Sequence, residues 1–201
     1  MPKVSQQYKK ERREKLISAA EVVFLRLGYS RATVKDVMDE AGVSRGGLYL
    51  YFGNKAEIFE AVLQRQDQRF FTAVETLLES DDPIGSALIE LVTPGSNLEQ
   101  QDRQRVAMVV EYHLDHRDDA RQRQAILTRF DGATNLLVQV IQKGVNRGEF
   151  TPRLSIDGIA WFLMTALDGF AVHATVVGPD RYDSREYGQS MAYFLHQSLG
   201  F

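Results

Sequence analysis

Apolar residues recur along this chain at the three- and four-residue spacing of amphipathic helices, almost from end to end. The first clear stripe follows one helix face and ends at Gly28; its members are Leu16, Ala19, Ala20, Val23, Phe24 and Leu27. No segment stands out with the two-residue alternation of a strand, and no internal repeat is evident. The pattern therefore predicts an all-α protein of about nine helices.

The stretch from Thr33 to Lys55 predicts two short helices joined by a tight turn. Thr33 suits an N-cap, because Asp36 places a carboxylate at the positive end of the helix. Gly42 directly follows the first short apolar stripe, where a left-handed backbone ends a helix at little steric cost. Ser44 is then the expected cap of the second helix.

The second short helix leaves a distinctive set of residues on its free faces: Arg45, Gly46, Gly47, Tyr49, Leu50 and Tyr51. Two consecutive glycines each cost about 1 kcal/mol relative to alanine in a helix interior. Either the backbone approaches another molecule closely there, with DNA as one candidate, or it packs tightly against a neighbouring helix. A helix-turn-helix presents such a recognition helix to the DNA major groove, so the segment predicts DNA binding.

The run GVSRGGLYLYFGNKAEIF, residues 42–59, resembles the DNA-binding signature of the TetR family of one-component bacterial regulators. That signature has a capped recognition helix ending in Tyr-x-Tyr/His-Phe, followed by a Lys that opens a long helix. The resemblance implies base-edge contacts for Arg45, Gly46 and Gly47. It implies phosphate contacts for Thr33, Ser44, Tyr49, Tyr51 and Lys55, with Lys35 as a further candidate. Because the two glycines offer little side chain, base specificity is expected to depend more on Arg45 and Leu50.

Charge divides the chain close to the end of this motif. Residues 1–55 carry 11 Lys/Arg and 6 Asp/Glu (net +5), whereas residues 56–201 carry 13 and 21 (net −8). A basic head on an acidic body fits phosphate binding at one end only. We therefore expect residues 1–55 to form a three-helix DNA-binding domain and residues 56–201 an effector-binding and dimerisation domain. The basic lead-in, which includes Lys9, Lys10 and Arg13, is expected to be either an arm along the DNA or a disordered end.

The second half predicts further helices and a subunit interface. One expected helix runs from a capping box at Asn54 and Glu57 to about residue 79, and another from a cap at Ser96 and Glu99 to about 114. The other expected helices cover 84–92 and roughly 119–146, 156–177 and 184–199. The helix over 156–177 is apolar on almost every face, which requires burial on all sides, while Asp157, Asp168 and His173 argue against a membrane span. The TetR resemblance implies that the last two helices pair across a two-fold axis in a homodimer. Such a dimer fits a palindromic operator, because it spaces two recognition helices by about 34 Å.

Little in the sequence points to catalysis or to bound metal. Without cysteine, neither a disulfide nor a thiolate zinc site is possible, which suits a reducing cytoplasm, and the N-terminus lacks the apolar core of a secretory signal. Phosphate-loop, GxSxG and HExxH motifs are lacking. His113 and His116 lie near Glu111 and Asp115, but the four do not share one helix face. We therefore predict no catalytic residues, no cofactor and no metal site.

The regulatory half is inferred mainly from the resemblance, which implies a small, often hydrophobic effector that releases the protein from DNA. The candidate ligand-binding residues, each of which also suits an ordinary core, are Phe70, Tyr112, His113, Phe130, Trp161 and Phe170. The leading prediction is a dimeric, ligand-responsive transcription repressor. One alternative is an activator or chromosome-associated protein of the same fold without an effector. The other is a helical ligand-binding protein or enzyme in which the motif is vestigial.

Overall fold

The computed structural model describes residues 6–93, 100–178, 181 and 183–201. Its helices are α1 (Gln6–Leu27), α2 (Val34–Ala41), α3 (Arg45–Tyr49), α4 (Lys55–Glu79), α5 (Ile84–Val92), α6 (Gln100–Asp115), α7 (Ala120–Asn146), α8 (Ile156–Val177) and α9 (Ser184–Leu199). These residues contain no strand, so the predicted all-α class and the helical N-terminal motif are confirmed. The predicted cap at Ser96 and Glu99 lies outside the described residues.

The caps predicted around the short helices are present as hydrogen bonds. Asp36 N–H donates to Thr33 Oγ1 at 3.2 Å, and Thr33 N–H donates to Asp36 Oδ2 at 2.9 Å, which completes a capping box. Hydrogen bonds from Thr33 hold the pKa of the Asp36 carboxyl below its usual value. Gly42 ends α2 with φ 62°, in the left-handed region, and Gly47 N–H donates to Ser44 Oγ at 3.3 Å. Local chemistry thus fixes the turn between α2 and α3.

One compact unit comprises the chain up to Arg69 together with the segment Met108–Asp115 from the end of α6. Its core packs α1, α2, α3 and the start of α4, and Phe24, Leu48 and Phe59 are completely buried in it. The ring of Tyr112, which is 2% exposed, packs edge-on against Tyr29 with centroids 5.0 Å apart. The end of α6 is therefore part of the same hydrophobic core as the helix-turn-helix.

The end of α6 also binds the loop that connects α1 to α2. Ser30 N–H donates to Glu111 Oε2 at 3.0 Å, and Ser30 Oγ donates to Asp115 Oδ2 at 3.1 Å. Gly28 leaves α1 with φ 77°, and a Cβ on it would lie only 2.9 Å from Glu111 Oε2. Burial, with Asp115 and Glu60 nearby, raises the pKa of Tyr29 to about 12. The loop before α2 is thus shaped by residues more than 80 positions away.

The second compact unit comprises residues 70–107 and 116–201, so that α4 and α6 each contribute residues to both units. Ile84, Leu137, Ile141, Leu163 and Leu195 are all completely buried in its core. A polar contact also caps the end of one helix around this core, α4. The Lys143 ammonium donates to the carbonyls of Leu77, Leu78 and Ser80 at 3.3, 2.8 and 2.5 Å, which satisfies the last turn of α4.

Helix α8 presents apolar side chains that remain exposed in the described part of the chain. By length and composition it could cross a membrane, with mean hydropathy 1.4, but core helices of soluble proteins pass the same test. Only 28% of the apolar stretch is buried. Trp161 is 59% exposed, Phe162 45% and Val176 77%. Large apolar side chains exposed along one helix are typical of an interaction surface.

Candidate DNA-binding interface

Helix α3 docks on the core of the first unit through one face only. Leu48 is completely buried and Phe52 is 3% exposed, which fixes the rotation of the helix. The opposite face is therefore turned to solvent, where Tyr49 is 43% exposed and Leu50 is 81% exposed. A short, capped helix held in this way can enter the major groove without rearranging its core contacts.

Arg45 and Tyr49 form a pair one turn apart on the exposed face. The Arg45 guanidinium carbon lies 5.5 Å from the centroid of the Tyr49 ring, within the range of a cation–π contact. Contact with the ring restricts the position of the guanidinium. Arginine is the side chain that most often reads guanine in the major groove, through two parallel hydrogen bonds. The pair thus brings the predicted base-edge contact, Arg45, next to a predicted phosphate contact, Tyr49.

The double glycine of α3 is not required by packing inside the unit. A Cβ built on Gly46 meets nothing within 4 Å. A Cβ built on Gly47 makes ordinary contacts, at 3.4 Å to Ser44 Oγ and 3.7 Å to Val43 Cβ. Neither glycine has the positive φ that would demand glycine. Of the two explanations for the pair, close approach of another molecule is favoured over tight helix packing at Gly46.

Gly46→Ala is expected to stabilise the fold and to weaken DNA binding. Alanine lowers the conformational entropy of the unfolded chain and should raise the free energy of unfolding by roughly 0.5–1 kcal/mol. The added methyl group would stand between the helix backbone and the base edges, and operator affinity should fall by about 1–3 kcal/mol. Denaturant unfolding and fluorescence anisotropy measure the two effects.

Gly132→Ala is the matched control for this test, because Gly132 lies inside α7 and its Cβ would also meet nothing within 4 Å. It should give a similar gain in stability with unchanged DNA affinity. Retention of full affinity by Gly46→Ala would show that the backbone at this position does not approach DNA.

Two of the predicted phosphate contacts, Lys35 and Lys55, bond to other groups of the protein. The Lys35 ammonium bonds to Asp39 Oδ2, and this hydrogen bond raises the pKa of Lys35. The Lys55 ammonium donates to the carbonyls of Tyr29 and Ser30 at 3.0 and 3.4 Å and lies 4.2 Å above the Tyr29 ring. Lys55 thus ties the start of α4 to the loop before α2.

The other predicted DNA-binding residues lie in α3 or next to its ends and the start of α2. The Thr33 and Ser44 hydroxyls serve the caps described above, while Tyr51 is half-buried against the core. Gly47 donates its backbone N–H to Ser44, next to Arg45 and Gly46. The structure therefore brings the exposed candidates Arg45, Gly46, Tyr49 and Leu50 together on one surface, and leaves Lys35 paired on the surface of α2.

Basic residues at the start of α1 adjoin the same surface. The chain is helical from Gln6, so this part of the basic lead-in is not a disordered end. Lys9, Lys10 and Arg13 line a groove of about 520 Å³ together with Leu50 and Tyr51 at the end of α3. The sequence showed the cations but could not show that they adjoin the recognition helix.

The predicted ligand-binding residues are distributed over both compact units. Tyr112 and His113 belong to the first unit, where the Tyr112 hydroxyl donates to Glu60 Oε1 at 3.1 Å. Phe70, Phe130, Trp161 and Phe170 belong to the second unit. Among these, Phe130 and Trp161 form an edge-to-face pair with centroids 6.3 Å apart, and Phe170 stacks on Tyr187 at 4.1 Å.

In the histidine and carboxylate cluster near the end of α6, the two carboxylates bind the loop that connects α1 to α2. Glu111 and Asp115 bind Ser30, as described above. Across the residues that the structure describes, no three His, Asp or Glu side chains are grouped as a metal ion would need. No local pattern indicates the Glu111–Ser30 contact, because its partners are 81 positions apart.

Comparison with known proteins places this geometry in a family. Residues 16–62 match the family described as bacterial regulatory proteins, tetR family, and residues 91–184 match the tetracyclin repressor-like C-terminal domain. The Bacillus subtilis regulator YfiR is 28% identical over 98% of this chain and 97% of its own. The repressor KstR2 of Mycolicibacterium smegmatis is 29% identical over 76% of this chain and 74% of its own. FadR from Bacillus subtilis, solved with stearoyl-CoA, has the same fold, with a TM-score of 0.65, 21% identity and coverage of 90% and 96%. The chain belongs to the TetR family of DNA-binding transcriptional regulators.

Proposed function

We propose that this protein is a homodimeric repressor that binds a palindromic operator and leaves it when a small hydrophobic ligand binds. The observation that carries the proposal is the solvent-facing surface of α3, where Arg45 contacts Tyr49. Next to this pair is Gly46, on which a Cβ would meet no atom within 4 Å. Thr33, Ser44, Tyr51 and Lys55 surround this surface as proposed phosphate contacts. DNA is the partner that combines an anionic backbone with base edges accessible to a helix.

The dimer part of the proposal rests on α8 and α9. Trp161, Phe162 and Val176 of α8 are exposed, and Tyr193 of α9 is 68% exposed. Within the chain, the Phe162 ring packs on Phe194 with centroids 4.2 Å apart, which joins the exposed faces of the two helices. A second copy that offers the same surface would bury these side chains through an isologous interface.

The ligand part of the proposal rests on aromatic residues in the second unit, which comprises most of the proposed effector domain over 56–201. Phe130 and Phe170 supply apolar surface, with Phe70 on α4. Trp161 contacts Phe130 and is thereby shared between this site and the exposed face of α8. The hydroxyls of Tyr187 and Thr93 are buried without a hydrogen-bond partner in the described part of the chain, and burial raises the pKa of Tyr187. Unsatisfied buried polar groups next to aromatic rings suit a ligand with an apolar body and a polar group.

The test begins with duplexes selected from a random library by the full-length protein. Release of a selected duplex in the presence of stearoyl-CoA, with free coenzyme A as the control, would support the proposed response; FadR motivates this probe. An in vitro transcription assay on the same duplex placed over a promoter distinguishes repression from activation. A protein that retains no duplex at low salt would refute the proposal, because the phosphate contribution is strongest there. We further propose a cytoplasmic protein that needs no cofactor and has no enzymatic activity.

Arg45→Ala and Tyr49→Ala are expected to differ in their effect on DNA recognition. Arg45→Ala should reduce discrimination between the selected site and random DNA by about 1–3 kcal/mol, because a base contact is lost. Tyr49→Ala should weaken binding to both. Tyr49→Phe keeps the ring below Arg45 and removes only the hydroxyl, so it isolates the proposed phosphate contact. Competition titrations against random duplex measure these effects, and equal loss of discrimination in Arg45→Ala and Tyr49→Phe would contradict this division.

A further inference from the structure

Leu50 is the most exposed large apolar side chain in the described residues, at 81% exposure. It is the C-cap residue of α3, with helical φ −67° and ψ −20°, and its N–H bonds to Gly46 O at 3.3 Å. Its backbone is therefore fixed by the recognition helix. The buried Leu48, two residues earlier, holds the same helix on the core. A leucine that is both fixed and exposed presents an apolar group to whatever approaches α3.

The surroundings of Leu50 favour a polyanion as that partner over an apolar protein surface. Leu50 lines the α1–α3 groove beside Lys9, Lys10 and Arg13. Arg13 is held over the Phe52 ring at 5.1 Å. In the part of the chain that the structure describes, none of these three cations forms an ion pair with a carboxylate. Three positive charges around one apolar side chain fit a nucleic acid whose backbone follows the groove.

On a DNA duplex, the apolar group that the bases present in the major groove is the C5 methyl of thymine. Gly46 and Gly47 have no side chains with which to contact bases. Among the exposed residues of α3 and its C-cap, base discrimination therefore depends on Arg45, Tyr49 and Leu50. We propose that Leu50 reads a thymine in each half-site through an apolar contact with its C5 methyl group. This inference rests on the proposed DNA-binding function and assigns the chemical group that Leu50 recognises.

The test replaces thymines one at a time by deoxyuridine, which removes only the C5 methyl and keeps base pairing. The probe is the duplex selected by the wild-type protein, with both half-sites substituted symmetrically. One thymine position should lose about fourfold in affinity per half-site, hence about 15-fold for the duplex, as expected for one buried methyl-sized group. Deoxyuridine outside the half-sites serves as the DNA control.

Protein variants assign the effect to Leu50. Leu50→Ala should bind the thymine and deoxyuridine duplexes within about twofold of each other, whereas Leu50→Met, which keeps an apolar side chain of similar volume, should still discriminate. The inference is overturned if no thymine position is sensitive, if the selected half-site contains no thymine, or if Leu50→Ala keeps the full discrimination. Each of these results would leave DNA binding itself intact. Failure to bind any duplex would instead overturn the proposed function, and this inference with it.

Discussion

Phe162→Asp is expected to convert the protein to a monomer and to abolish tight operator binding. A carboxylate on the exposed apolar face of α8 would have to be desolvated against the partner's apolar surface without a counter-charge. In the dimer, binding of one recognition helix holds the other at a high effective concentration near the second half-site. A monomer loses this advantage. Affinity for the palindrome should then fall by about 10²–10⁴-fold. Sedimentation velocity and anisotropy measure the two losses on the same sample.

Two further variants separate a lost interface from a damaged subunit. Tyr193→Asp acts on α9, where the side chain is 68% exposed, and should also give monomers. Val22→Asp is the matched control, because Val22 is 48% exposed on α1 and lies outside the proposed interface. It should remain dimeric with unchanged affinity. Circular dichroism establishes that each variant is folded; folded Phe162→Asp and Tyr193→Asp proteins that remain dimers would contradict the proposed α8–α9 interface.

The sequence predicted the helix-turn-helix well because its structure is determined by neighbouring residues. Thr33 and Asp36 are three positions apart, and Ser44 and Gly47 likewise, so each cap follows from local chemistry. Gly42 ends α2 in the left-handed conformation expected of it. The bounds of α4, α5 and α7 to α9 agree with the predicted ones for the same reason, because caps and turn residues mark where the apolar stripes begin and end. Element type and position are the properties that local pattern determines best.

Contacts between distant parts of the chain could not be predicted in this way. Tyr112 has an apolar ring and a polar hydroxyl, which suited a ligand cavity. Its ring instead lies in the core of the first unit, with its centroid 4.8 Å from that of the Phe59 ring. The groove lined by Lys9, Lys10 and Arg13 likewise depends on residues of α1 lying next to Leu50 and Tyr51, about 40 positions away. Periodicity shows which face of a helix is apolar but does not specify which helix covers it.

Tyr112→Ala is expected to destabilise the unit that contains the helix-turn-helix. Removing a ring that is completely enclosed should cost about 3–5 kcal/mol, as for other large aromatic side chains in cores. Tyr112→Phe keeps the ring, loses the bond to Glu60 and should cost about 1 kcal/mol. Hydrogen exchange distinguishes the two units: amides of residues 16–63 should lose protection in Tyr112→Ala, whereas those of residues 137–163 should not. If Tyr112 instead lined an effector cavity, the alanine variant would change the response to ligand while protection of residues 16–63 stayed at the wild-type level. The pattern of protection thus decides whether this tyrosine supports the DNA-reading unit or contacts the ligand.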